Sequence, residues 1–162
     1  MTTNDDLEAI RTIINAGKTA IVTTQSPEGD LHSRPLALIG DDDEFDGSLW
    51  FFTQDPSPKT RDIGVHPSVN VSIADNKGYL SLSGSASVER DQARIERYWN
   101  PFVEAWFENG REDPSVALLR VDVETAEYWH IDKPAPARLF EVAKALVTKT
   151  PPDVGENHTV SL

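Results

Sequence analysis

The chain has 162 residues, 38% of them hydrophobic and 26% charged, with no cysteine and a formal net charge of −12. That length and balance fit one globular domain around a single core, and the missing cysteines exclude disulfide scaffolds, thiolate metal sites and cysteine nucleophiles. Nucleic-acid binding is not expected without a basic face, no apolar run reaches the roughly 18–20 residues of a membrane span, and no leader pattern opens the chain, so a cytoplasmic protein is expected.

In chain order, Leu7, Ile10, Ile13 and Ile14 stand at helical spacing, with Asn4 or Asp5 able to cap that helix and Gly17 able to end it. "TAIVTTQ" is β-branched and predicts a strand, "SPEGD" a tight turn, and "LHSRPLALIG" the returning strand, in which Pro35 favours an edge or a bulge. An acidic loop, "DDDEFDG", leads to a third strand, "SLWFFTQ", whose apolar run reads as buried. "SPKTRDIGVHP" predicts a short helix capped by Ser57 with Pro58 at its first position. "SVNVSIAD" and "GYLSLSGSASVER" alternate as strands, with Gly84 marking a bulge or a close backbone approach. "DQARIERYWNPFVEAWFENG" predicts a helix capped by Asp91 and broken near Asn100-Pro101. "VALLRVDVETAEYWHI" contains one strand and a further, last one at "AEYWHI". "LFEVAKALV" can form a turn or two of helix, and "TPPDVGENHTVSL" is expected to be frayed. Short links between strands favour antiparallel pairing, and a small barrel with peripheral helices follows.

Three stretches can carry chemistry. In so acidic a protein an anion meets long-range repulsion, so any anion site must be a local pocket of cations and backbone N–H groups. "FFTQDPSPKTRDI" supplies the hydroxyls of Thr53 and Ser57, the unpaired N–H groups of a helix start and the charge of Lys59. The plainer alternative is a helix cap with a solvated lysine. In "HSRPL", Arg34 sits in a strand and needs an acceptor. That acceptor is either a carboxylate of the acidic loop or a ligand phosphate shared with Lys59. Trp99, Phe102, Trp106 and Phe107 form an aromatic stripe that serves as core, as a cofactor wall or as cover for a neighbouring subunit. The four histidines show no metal-ligand spacing, and no phosphate loop, dinucleotide fingerprint or nucleophile elbow occurs.

In their order, "HSRPLAL", "LWFFTQDPSPKTRDI", "VNVSIAD", "YLSLSGSASVERD", "WNPFVEAWF" and "DPSVALLRVDVETAEYW" resemble the general stress protein 26-like proteins. These belong to the pyridoxamine 5'-phosphate oxidase-like superfamily of FMN-binding split barrels, and the resemblance spans residues 5–132. It implies a mainly β fold with peripheral helices: a six-stranded antiparallel split β-barrel within residues 1–132, followed by a C-terminal extension, 133–162, partly helical or disordered. It implies a homodimer with FMN between the subunits. Arg34 and Lys59 would hold the phosphate beside Ser57 and Thr53. Pro35, Leu36, Phe51 and Phe52 would flank the isoalloxazine, and Trp106 and Trp99 would approach it from the partner. The implied activity is that of a flavin-dependent oxidoreductase. The alternatives are a non-catalytic flavin-binding stress or sensor protein, and a reductase using an 8-hydroxy-5-deazaflavin coenzyme. After Trp129 the chain does not match the further Arg and His of pyridoxamine phosphate oxidases, so vitamin synthesis is not expected.

Overall fold

A computed structural model describes residues 3–41, 45–130, 144 and 157–162. Helix α1 (Asn4–Ala16) leads into β1 (Thr19–Gln25), β2 (Leu31–Ile39) and β3 (Ser48–Gln54). Helix α2 (Pro58–Val65) precedes β4 (Ser68–Ala74) and β5 (Gly78–Glu89). Two short helices, α3 (Gln92–Tyr98) and α4 (Pro101–Glu104), come before β6 (Val116–His130) and β7 (Asn157–Ser161). The sheet runs β3-β2-β1-β4-β5-β6-β7, and a further β3–β6 pairing closes the first six strands into an antiparallel barrel, with β7 added outside it. No described helix is long and apolar enough to cross a membrane.

Alternation fixes what faces inward. Ala20, Val22, Phe51, Val71, Leu82, Leu119 and Val121 fill the barrel, and Ile10 and Ile13 of α1 plug one end. The third strand is not buried on both faces. Leu49, Phe51 and Thr53 point in, while Trp50 and Phe52 pack with Ile95, Val103, Phe107, Leu118 and Trp99 in a second cluster under α3 and α4.

Barrel closure is incomplete along one seam. Strands β2 and β3 pair only at Leu38↔Phe51 and Ile39↔Trp50. Residues 31–37 of β2 bond β1 on one side and leave the other edge open, and Pro35, which lacks an N–H, sits on that edge.

Three expectations change. Thr3, not Asn4 or Asp5, caps α1, in a capping box with Asp6. The region read as two late strands is one strand, β6, of 15 residues. The tail expected to fray ends in β7, which pairs with residues Thr125–Trp129 of β6. The helix turn expected in "LFEVAKALV" lies outside the described residues, Lys144 apart.

The Thr3 cap makes a prediction. Asp6 accepts bonds from the Thr3 hydroxyl at 2.7 Å, the Thr3 N–H at 2.9 Å and the Tyr128 hydroxyl at 2.8 Å. Thr3 first, then Tyr128, hold its carboxyl at about 2, below the ordinary 3.8. A lowered folded pKa contributes stability that is present above the ordinary value and lost as pH falls through the lowered one. Denaturation midpoints of the natural protein should therefore fall more steeply between pH 3.8 and 2 than those of Asp6→Asn. Parallel pH curves would remove Asp6 from the fold's acid response.

Candidate functional site

At the open end of the seam, four elements bring cations and hydroxyls together. The sequence builds α2 there because Ser57 caps it, accepting from the Thr60 N–H, and Pro58 needs no N–H partner in the first turn. Arg90 braces the turn that precedes the cap, donating to Asp55 Oδ2 at 2.9 Å and to the carbonyls of Pro114 and Val116 at 2.9 and 3.0 Å. Lys59, one residue inside α2, turns back to β3 and donates to Thr53 Oγ1 at 2.6 Å. The solvated-lysine alternative therefore fails: Lys59 is half-buried and bonded. The cap itself is real, and it occupies the Ser57 hydroxyl with Thr60.

Arg34 lies on the inward-facing row of β2, opposite Val22. Its Nη1 donates to Thr24 Oγ1 at 2.8 Å, and its Nη2 lies 3.9 Å from Asp62 Oδ2. The acidic loop is thus not its acceptor among the described residues; the carboxylate comes from α2. Burial, and then the nearby Arg34 guanidinium, lower the Lys59 pKa from the ordinary 10.5. Arg34 and the neighbouring Lys59, with the single carboxylate of Asp62 set against Arg34, leave a local positive excess in a chain of net charge −12. That corner can hold a small dianion through charge-assisted hydrogen bonds.

The other expected residues divide. Pro35 is exposed on the open edge, and Leu36 is half-buried against the barrel core. Phe51 is 0% exposed inside the barrel, so only its backbone can line a cleft. Phe52 meets Trp99 edge-on at 5.8 Å, and Trp99 meets Phe107 at 5.6 Å, which makes Trp99 part of the second cluster. Trp106 is 68% exposed and Phe102 65%. The helix break at Asn100-Pro101 splits the stripe, with Phe107 and Trp99 inward and Phe102 and Trp106 outward. Gln54 Nε2 donates to the Trp106 carbonyl at 3.0 Å, which ties that exposed ring's turn to the end of β3, next to Thr53.

Sequence reasoning missed Thr24, His32 and Asp62. The available signal was Asp62 itself, a carboxylate beside Ile63 on the buried side of a short helix, three residues after Lys59. Among the described residues no cluster of His, Asp or Glu can hold a metal ion.

Comparison with known proteins follows the same lines. A family model described as pyridoxamine 5'-phosphate oxidase like matches residues 5–153. Protein bli-3 of Neurospora crassa is 30% identical over 164 aligned residues, which cover 94% of this chain and 78% of that protein. The crystal structure of a general stress FMN/FAD binding protein from Xanthomonas citri is 29% identical, with a TM-score of 0.69 over 82% of this chain and 93% of its own. A candidate general stress protein 26 from Jannaschia sp. CCS1, 24% identical, shares the fold at a TM-score of 0.76, covering 99% of this chain and 100% of that one.

Proposed function

The chain belongs to the pyridoxamine 5'-phosphate oxidase-like family, and from that premise we propose that it is a flavin-binding, FMN-dependent oxidoreductase acting as a homodimer. The observation that carries this reading is the convergence of Arg34 and Lys59 at the open seam, each held by a threonine hydroxyl. These residues fit the flavin's phosphate. Lys59 makes one hydrogen bond to a neutral hydroxyl, so its remaining donors are available to a ligand anion. Thr53, buried at the end of β3, orients the ammonium, and the Ser57 cap fixes the helix start that carries it. The open edge at Pro35 and Leu36 and the backbone of Phe51 and Phe52 would border the ring, an apolar slot with few polar anchors. When bound, the flavin supplies the redox chemistry; the protein supplies binding and electrostatics.

Support for a partner subunit comes from the outer sheet face. Directly opposed residues share one side, so Ile21, Pro35 and Ser72 lie together, as do Thr23, Ser33 and Asn70, flanked by Ser81 and Ser83. In a chain that is 26% charged, this expanse carries no charge, and Ile21 and the 71%-exposed Leu31 add apolar area. Such depletion of charge marks the centre of protein interfaces. Trp106 then lies free to reach a partner's slot.

One titration tests the reading. FMN, riboflavin and the 8-hydroxy-5-deazaflavin coenzyme are compared at one pH, with oligomeric state followed by sedimentation. A dimer that binds FMN more tightly than riboflavin, and FMN more tightly than the deazaflavin, is expected. Mixing the FMN complex with NADH or NADPH should bleach the bound flavin. Tight binding without bleaching would make it a carrier or sensor, and no flavin binding at all would end the proposal.

A further inference from the structure

Helix α2 lies across the open seam and touches both of its banks with side chains three residues apart. Lys59 reaches β3 through Thr53 at 2.6 Å. Asp62 reaches the β1–β2 hairpin, where Thr24 Oγ1 donates to its Oδ2 at 3.0 Å, Arg34 Nη2 lies 3.9 Å away and His32 Nδ1 lies 3.7 Å away. Thr24 is the link. Its hydroxyl accepts from Arg34 Nη1 and donates to Asp62, so guanidinium, hydroxyl and carboxylate form one chain. Asp62 is only 3% exposed. A carboxylate that far from water costs several kcal/mol unless charges and donors surround it, and here a cation and a hydroxyl do.

We propose that Asp62 is the positioning residue of the anion corner: through Thr24 and directly, it fixes the Arg34 guanidinium and leaves that group's remaining N–H donors to a ligand phosphate shared with Lys59. This rests on the flavin-phosphate reading above and assigns a residue to it. The guanidinium is a rigid planar fork with five N–H donors. Holding one flank against Thr24 and Asp62 removes the rotamer freedom that a long arginine would otherwise lose on binding. Asp62 also balances the charge of Arg34, so that guanidinium can be held beside Lys59. Against this stands simple Coulomb repulsion between Asp62 and the phosphate. The buried, hydroxyl-bonded carboxylate favours orientation as the larger effect.

The test uses the full chain at one fixed pH, with FMN and riboflavin as probes, because they differ only in the phosphate. Asp62→Asn keeps the shape and removes the charge. It should weaken FMN binding about ten-fold, the loss of one charge-assisted hydrogen bond, while riboflavin binding stays unchanged. In an Arg34→Ala background the same substitution should add no further loss, since Asp62 acts through Arg34. FMN binding that is unchanged or tighter in Asp62→Asn overturns the positioning role, as does an equal loss for riboflavin. If that variant does not fold, Thr24→Val breaks the same chain at the hydroxyl, and unaltered FMN affinity there overturns it equally. Natural protein that binds neither flavin overturns the underlying reading instead, which keeps the two failures apart.

Discussion

Arg34→Ala and Lys59→Ala are each expected to weaken FMN binding by about 10- to 100-fold, equivalent to about 1.5–3 kcal/mol, the worth of a hydrogen bond to a charged group. The loss should be specific to the phosphate, leaving riboflavin affinity unaltered. Salt should weaken FMN binding only modestly, because half-buried cations are poorly screened. Lys59 adds a pH signature. Burial, reinforced by Arg34, lowers its pKa from 10.5, so the empty protein loses this charge at a lower pH than an ordinary lysine does. FMN affinity should fall as pH rises through that lowered range, and the fall should vanish in Lys59→Ala. The linkage to folding has the opposite sign. The unfolded chain holds this proton more tightly, so the empty protein gains stability as pH rises toward 10.5. Unaltered FMN affinity in both alanine variants would remove the phosphate assignment.

Phe51→Ala is expected to cost about 3–5 kcal/mol of folding stability, the range for deleting a fully buried aromatic ring. A domain of this size holds only about 5–15 kcal/mol in total, so the variant should sit near its unfolding threshold. The position explains the size of the effect. Phe51 is 0% exposed, its backbone pairs with Leu38 of β2 and Leu119 of β6, and it stands at one of the two register positions where β2 and β3 meet. A cavity there would loosen the seam where it is already shortest. Phe52→Ala should cost less, because its ring is only partly buried in the smaller cluster under α3 and α4, although it also gives up the edge-on contact with Trp99, worth about 0.5–1.5 kcal/mol beyond its area. Urea midpoints of the two variants check the order, and a larger loss at Phe52 would reverse the assignment of faces on β3.

Local signals made much of this fold readable. Val69, Val71 and Ile73 alternate inward along β4, and Ser57-Pro58 starts α2 as a cap and first-turn proline should. Gly84 marked a close approach, and a Cβ there would stand 2.0 Å from the Asp122 carbonyl oxygen. The same irregularity hid the length of β6. Ser83 pairs with Thr125 and Gly84 with Val123, so Glu124 is an extra residue on β6. Beyond it the buried positions change phase, from Leu119, Val121 and Val123 to Ala126 and Tyr128, and one strand reads as two. β7 was illegible because Val160 is the one buried side chain in a polar stretch; its partner strand, not its own pattern, makes it a strand. At the site, Arg34 and Lys59 were readable as cations in unusual places. The carboxylate on Arg34 was not, since Asp62 meets it through tertiary packing of α2 rather than through any spacing along the chain.

A barrel unzipped along part of one seam carries a hazard. Residues 31–37 of β2 present a row of backbone groups that another chain could extend into a growing sheet. Proline at position 35 interrupts that row, since it offers no donor to an incoming strand. A missing donor in the middle of the open rim thereby makes that rim a poorer template for aggregation than an unbroken strand edge would be.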